Sequence, residues 1–107
     1  MQPGNQNDSD RIGADPSLLI VDDDGPFLRR LGRAMESRGF TVEMAESVAA
    51  GKAAINVTPP KFAVIDLRLG DGNGLELIEA IRRKRDDTRI VMLTGYGNIA
   101  TGKSDVG

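Results

Sequence analysis

The chain of 107 residues contains no cysteine and no histidine. Without cysteine there is no disulfide framework, no thiolate metal site and no redox thiol. Without histidine, imidazole acid–base chemistry and imidazole metal ligation are excluded. Tryptophan is also absent, and aromatic residues make up 4% of the chain. No apolar run approaches the roughly 20 residues of a membrane-spanning helix. The first residues are polar and acidic, unlike a secretory signal peptide. The expected location is therefore cytoplasmic, with no membrane partner.

A large excess of either charge is missing too: 14 Lys and Arg stand against 16 Asp and Glu, a formal net charge of −2. Asp8, Asp10 and Asp15 against Arg11 account for all of it within residues 1–16, so the remainder is neutral. A neutral body lacks the basic footprint that binds DNA or an anionic membrane, and no direct nucleic acid binding is expected. The length allows one domain. A content of 39% apolar and 28% charged residues rules out a wholly disordered or fibrous chain.

Residues 1–16 read as a disordered leader, rich in Asn, Asp, Gly, Gln and Pro. Order is expected from Ser17. Leu18-Leu19-Ile20-Val21 is an unbroken apolar run that stops at Asp22-Asp23-Asp24. Apolar on both faces, it predicts a strand of a parallel sheet covered by helices. Pro26 suits a first helical position, and Phe27, Leu28, Leu31, Ala34 and Met35 follow at helical spacing up to the stop at Gly39. Residues 40–45 form the second expected strand. Ser47 is a candidate N-cap for a helix running to Asn56 and ended by Pro59-Pro60.

Phe62-Ala63-Val64-Ile65 predicts a third strand, again stopping at an acid, Asp66. Residues 70–74 predict a loop, with Asn73 as candidate cap of a helix carrying Leu75, Ile78 and Ile81. Arg82 to Arg85 sit favourably near that helix's C-terminus, and residues 89–93 predict a fourth strand before Thr94. The βαβαβαβ alternation indicates an open α/β parallel sheet with right-handed crossovers.

Ligands of open α/β sheets bind at the carboxyl ends of the strands. That edge would carry Asp22 and Asp23 after the first strand, Asp66 after the third and Thr94 after the fourth. A single Asp at a strand end is ordinarily a turn residue or helix cap. Three acids and a threonine, each closing a buried strand, are harder to assign to that role. Converging carboxylates repel unless a cation neutralises them or some stay protonated. An all-oxygen donor set with open positions suits Mg²⁺ better than a closed Ca²⁺ cage. A carboxylate beside such a cation can accept a phosphoryl group as an aspartyl-phosphate.

Leu19-Ile20-Val21-Asp22-Asp23-Asp24, Val64-Ile65-Asp66-Leu67-Arg68 and Val91-Met92-Leu93-Thr94-Gly95 resemble the signature segments of bacterial response regulator receiver domains. Pro26-Phe27-Leu28-Arg29-Arg30-Leu31, Asp71-Gly72-Asn73-Gly74-Leu75 and the segment from Leu93 to Thr101 are similar to the RegA/PrrA/ActR group of redox-linked regulators. The resemblance runs from Ser17 to Thr101, giving a receiver at 17–101 between the leader and a non-family tail at 102–107.

The resemblance implies an open, doubly wound, flavodoxin-like fold with strand order 2-1-3-4. It also implies phosphoryl transfer from a sensor histidine kinase to Asp66, with Mg²⁺, switching a transcriptional regulator. Asp23 would bind the metal directly, Asp22 would complete the acidic pocket, and the backbone carbonyl of Arg68 would be a further ligand. Thr94 would be the switch hydroxyl. Such a domain takes part in chemistry but is a switch, not a metabolic enzyme.

In the family, a lysine that pairs with the phosphoryl group follows a fifth strand. The present sequence stops short of that strand, and Lys103 does not fill the role. A truncated receiver is therefore expected, without the fifth strand, the last helix or a DNA-binding domain. The fourth strand would then present an unpaired apolar edge, a template for homo-oligomers. The alternative function is a switching-incompetent fragment that acts only through association.

Competing motifs are weaker. Residues 97–104 satisfy G-x-x-x-x-G-K-[ST], but only Asp105, Val106 and Gly107 remain for the helix a phosphate loop needs. Residues 95–100 resemble a dinucleotide fingerprint without the acid that should follow it. Asp22-Asp23-Asp24 resembles the D-x-D of aspartate-nucleophile phosphatases, a reading that makes Asp22 the nucleophile and leaves Asp66 idle. Asp71-Gly72-Asn73-Gly74 has calcium-loop chemistry but lacks the closing Glu, so a turn and cap are expected. The Arg82 to Arg85 run reads as a solvated helix end.

Overall fold

Apolar residues alternate between two cores along the central strands, and that decides how the sheet is covered. The computed structural model describes residues 12–94. The tail at 102–107, the motif at 97–104, the loop after Thr94 and residues 1–11 lie outside the described residues. In chain order the elements are β1 (Ser17–Val21), α1 (Gly25–Glu36), β2 (Thr41–Ala45), α2 (Val48–Val57) and β3 (Phe62–Asp66). They continue with β4 (Arg68–Leu69), β5 (Gly72–Asn73), α3 (Leu75–Lys84) and β6 (Arg89–Leu93). The main sheet is parallel, in the order β2-β1-β3-β6. This is the 2-1-3-4 order expected from the sequence, with β6 as the fourth long strand.

Leu19 and Val21 of β1 and Ala63 and Ile65 of β3 join Val48 and Ile55 of α2 and Leu77 and Ile81 of α3 in one core. Leu18 and Ile20 point to the other face, where Leu28 of α1 is buried with Leu31, Met35 and Phe62 beside it. The unbroken apolar run of β1 thus feeds two cores. β6 is an outer strand of the described sheet, and its Val91 and Met92 are 59% and 51% exposed. The association expected from sequence concerns this edge.

Local chemistry sets the helix ends. Asp24 caps α1 by accepting the Phe27 N–H at 3.1 Å, and Ser47 caps α2 by accepting that of Ala50 at 3.0 Å. Gly39, with φ of 105°, supplies the left-handed turn after α1. The start of α3 departs from expectation. Its cap position is Gly74, and Asn73 sits one residue earlier, where its side chain accepts the Leu75 N–H at 2.8 Å. The reason is steric: a Cβ at residue 74 would collide with the backbone carbonyl of Asp66. The loop at 70–74 also takes part in structure not expected from sequence, since β5 within it pairs with β4 just before it as a short antiparallel hairpin.

Asp15 and Pro16, grouped with the leader by composition, are tied into the fold. Asp15 accepts hydrogen bonds from Ser17 and pairs with Arg85 at 2.7 Å, and the Pro16 carbonyl accepts the Thr41 N–H. Arg85 also pairs with Asp87 at 2.7 Å, and Lys61 with Asp87 at 3.0 Å. The Ser17 hydroxyl and the Arg85 guanidinium hold the Asp15 carboxyl down at about 2. Arg85 and Lys61 hold that of Asp87 at about 2.

A depressed carboxyl stabilises the fold above its ordinary value of 3.8 and loses that contribution as pH falls toward the folded value of about 2. Both groups are about half exposed, so the effect is modest. Asp87→Asn should therefore lower the melting temperature at pH 6 but leave it nearly unchanged at pH values near 2 (thermal melts by circular dichroism).

Candidate acidic site at the carboxyl ends of the strands

Asp22 extends β1 by one residue, its N–H donating to the Ala45 carbonyl of β2 at 3.1 Å. The ladder therefore sets its side chain at the sheet's carboxyl edge, where it is only 7% exposed. Its Oδ1 accepts the Asp24 N–H at 2.8 Å. Asp23 is exposed beside it, and Asp66 closes β3, half-buried. One carboxylate oxygen from each of Asp22, Asp23 and Asp66 lies within 4.8 Å of the others. Asp24, third in the acidic triplet, is occupied as the cap of α1.

Burial pushes the Asp22 carboxyl up from its ordinary value. The Asp24 N–H opposes that shift, while the charges of Asp66, Asp23 and Asp24 reinforce it. The cluster thus concentrates negative charge around a buried carboxylate. A hard cation fits a donor set made only of carboxylate oxygens with one solvent-facing member.

Thr94, expected at the same edge, follows β6 there. It lines an open cleft of about 440 Å³ together with Asp22, Phe27, Asp66, Met92 and Leu93. The Arg68 N–H donates to Asp66 Oδ1 at 3.1 Å, and the Leu67 N–H donates to the Leu93 carbonyl at 3.0 Å. The chain after the acceptor candidate is thus bound both to its own carboxylate and to the neighbouring strand.

The structure assigns other expected residues elsewhere. Arg82 donates to the carbonyls of Asp86 and Thr88, and Arg85 to Asp15, Asp87 and the Pro59 carbonyl. These two residues of the basic run hold the turn between α3 and β6. Asp71, read as part of a turn, makes a longer connection. Its carboxylate accepts the N–H groups of Val48 at 2.7 Å and Ala49 at 3.0 Å, at the start of α2. No local pattern signals a contact spanning 23 and 22 residues.

An open parallel sheet with paired acids after β1 and a lone acid closing β3 defines a receiver-type module. The chain belongs to the response regulator receiver domain family, which residues 18–105 match. It is 70% identical over 99 residues to the acid tolerance regulatory protein ActR of Sinorhizobium medicae, covering 92% of this chain and 51% of that protein. It is 66% identical over 95 residues to the photosynthetic apparatus regulatory protein RegA of Rhodovulum sulfidophilum, covering 89% and 52%. The chain thus spans about half the length of the curated relatives it matches.

Among solved structures, it is similar to a Burkholderia pseudomallei response regulator carrying a phosphorylated aspartic acid, a calcium ion and citrate. That match has a TM-score of 0.72 and 34% identity, over 79% of this chain and 50% of the other. A CheY-like receiver domain protein of Methanospirillum hungatei gives a TM-score of 0.72 and 32% identity, over 80% and 69%. No described helix is long and apolar enough to cross a membrane.

Proposed function

We propose that this receiver accepts a phosphoryl group on Asp66 from a sensor histidine kinase and thereby switches a transcriptional regulator of which it is the receiver part. The observation that carries the proposal is the convergence of Asp22, Asp23 and Asp66 at the edge of a cleft that Asp22 and Asp66 line together with Thr94. The phosphorylated aspartic acid of the Burkholderia relative supports the same chemistry. An Asp66 oxygen forms the new P–O bond. The P–N bond of the donor phosphohistidine breaks, and the leaving imidazole takes up a proton.

Asp22, Asp23, Asp66 and the backbone carbonyl of Arg68 would hold Mg²⁺. The ion would supply charge screening between the carboxylates and the incoming phosphoryl oxygens. The Thr94 hydroxyl would donate to a phosphoryl oxygen and pass the change to the segment after β6. The phosphatase-like assignment of Asp22 as nucleophile is disfavoured, because Asp22 is buried whereas Asp66 is half-buried. A fragment acting only through association would not need the three acids brought together.

Incubation with acetyl phosphate and Mg²⁺, followed by intact mass measurement, tests the proposal. A gain of one phosphoryl group is expected. Absence of any gain, with Mg²⁺ binding demonstrated in the same sample, overturns it. A second expectation concerns the metal: Asp23 is exposed, so Asp23→Ala should fold normally yet weaken Mg²⁺ binding by more than about tenfold. Calorimetric titration reads this directly, and unchanged affinity removes Asp23 from the ligand set.

A further inference from the structure

The loop after the acceptor candidate is attached near Asp66 at both ends, and at its tip a carboxylate, that of Asp71, ties it to the start of α2. Asp71 stands at the turn of the β4–β5 hairpin. It reaches two N–H groups in the first turn of α2, and the Ser47 hydroxyl takes a third at Ala50. First-turn N–H groups have no partner inside their own helix, and a carboxylate is the strongest acceptor available to them. The helix dipole adds to the attraction.

Three further contacts show that the hairpin is built against α2. A Cβ at Gly72 would stand 3.3 Å from Val48 Cγ2 and 2.9 Å from Glu76 Oε2, so a bare backbone is what lets the turn approach. Leu69 on the preceding strand is buried in the core that contains Val48. Lys52 of α2 pairs with Glu76 of α3 at 3.1 Å, and the other Glu76 oxygen accepts the Asn73 N–H of the hairpin at 3.5 Å. The loop's other attachments lie at the site, where Arg68 N–H meets Asp66 Oδ1 and Gly74 N–H meets the Leu67 carbonyl.

We propose that Asp71 is a positioning residue: by tethering the loop to the start of α2, it holds Arg68 and Asp66 in the arrangement that phosphoryl acceptance uses. The last part rests on the reading of Asp66 as acceptor. Asp71 touches no reacting atom. Its action runs through the backbone of residues 67–70 and sets the position of the Arg68 peptide. Removing it frees the loop at its tip while leaving both ends attached.

Two variants of the full chain separate tethering from helix capping. Asp71→Ala and Ser47→Ala both take acceptors from the start of α2, but only the first cuts the loop free. The first readout is amide exchange at Arg68 by NMR, which needs neither metal nor phosphodonor. Asp71→Ala should speed that exchange by about tenfold, the factor expected for losing one capping interaction, and Ser47→Ala should leave it near the parent rate. The second readout is the Mg²⁺ dependence of acetyl phosphate uptake. Asp71→Ala should raise the half-saturating Mg²⁺ concentration several-fold at equal folded fraction, and Asp71→Glu should restore part of it.

Equal exchange rates at Arg68 in the parent and Asp71→Ala overturn the tether. So do equal effects of the two alanine variants. Faster Arg68 exchange in a chain whose parent takes up no phosphoryl group supports the tether and refutes the acceptor reading, so the two failures are distinguishable.

Discussion

Asp66→Asn should leave the chain folded and abolish its gain of phosphoryl mass. Asparagine keeps the shape and an oxygen able to accept the Arg68 N–H, which Asp66 Oδ1 accepts at 3.1 Å. It lacks the anionic oxygen that attacks phosphorus. The substitution also removes one of three mutually repelling carboxylates, which should relieve the raised carboxyl of Asp22, since the Asp66 charge contributes to that rise. The variant is therefore expected to be at least as stable as the parent without metal. The measurement is intact mass after acetyl phosphate, with peptide mapping of any label. Phosphate found on Asp22 in the variant would revive the assignment of Asp22 as nucleophile.

Gly74→Ala should be the most damaging single-methyl addition in the described chain. The added Cβ would strike the Asp66 carbonyl oxygen, and it would lie 2.8 Å from Ile65 Cγ2 and 3.1 Å from the Asp66 carbonyl carbon. Ile65 is fully buried in the core under α2 and α3, so neither neighbour moves cheaply. Relief requires α3 to shift away from β3, which breaks the hydrogen bond from Gly74 N–H to the Leu67 carbonyl. A loss of about 3 kcal/mol is expected, at the upper end of overpacking penalties. Gly70→Ala is the control, because a Cβ there meets nothing within 4 Å. Urea unfolding should show the midpoint falling for the first variant and nearly unchanged for the second. Comparable midpoints would mean that α3 can move off β3 at little cost.

The four long strands and three helices were readable because each is short, strongly patterned and bounded by its own stop signals. β1 shows this best: four apolar residues, all buried, ending at acids. The capping role of Ser47 was local as well, and the first helix starts at Gly25, one residue before the expected Pro26. The misplaced cap at Asn73 failed for a non-local reason. Capping preference favours asparagine over glycine, but position 74 has no room for any side chain against the end of β3. Asp15 fell in a segment whose composition reads as disordered, and it is ordered through a partner 70 residues away.

By itself the sequence determined that acids end β1 and β3, that a threonine follows β6, and that no histidine or cysteine competes with carboxylate chemistry. Periodicity and stop signals are properties of neighbouring residues, so they survive in one dimension. Only the tertiary structure decided how the consecutive acids divide their work. Asp22 is drawn under the sheet edge by its bond to β2, Asp23 faces solvent, and Asp24 turns away to cap α1. The same is true of Asp71, whose carboxylate finds its partners only after β3 has crossed beside β1 and brought the hairpin against α2. Contacts of that kind depend on where packing places whole elements, and no local spacing encodes that placement.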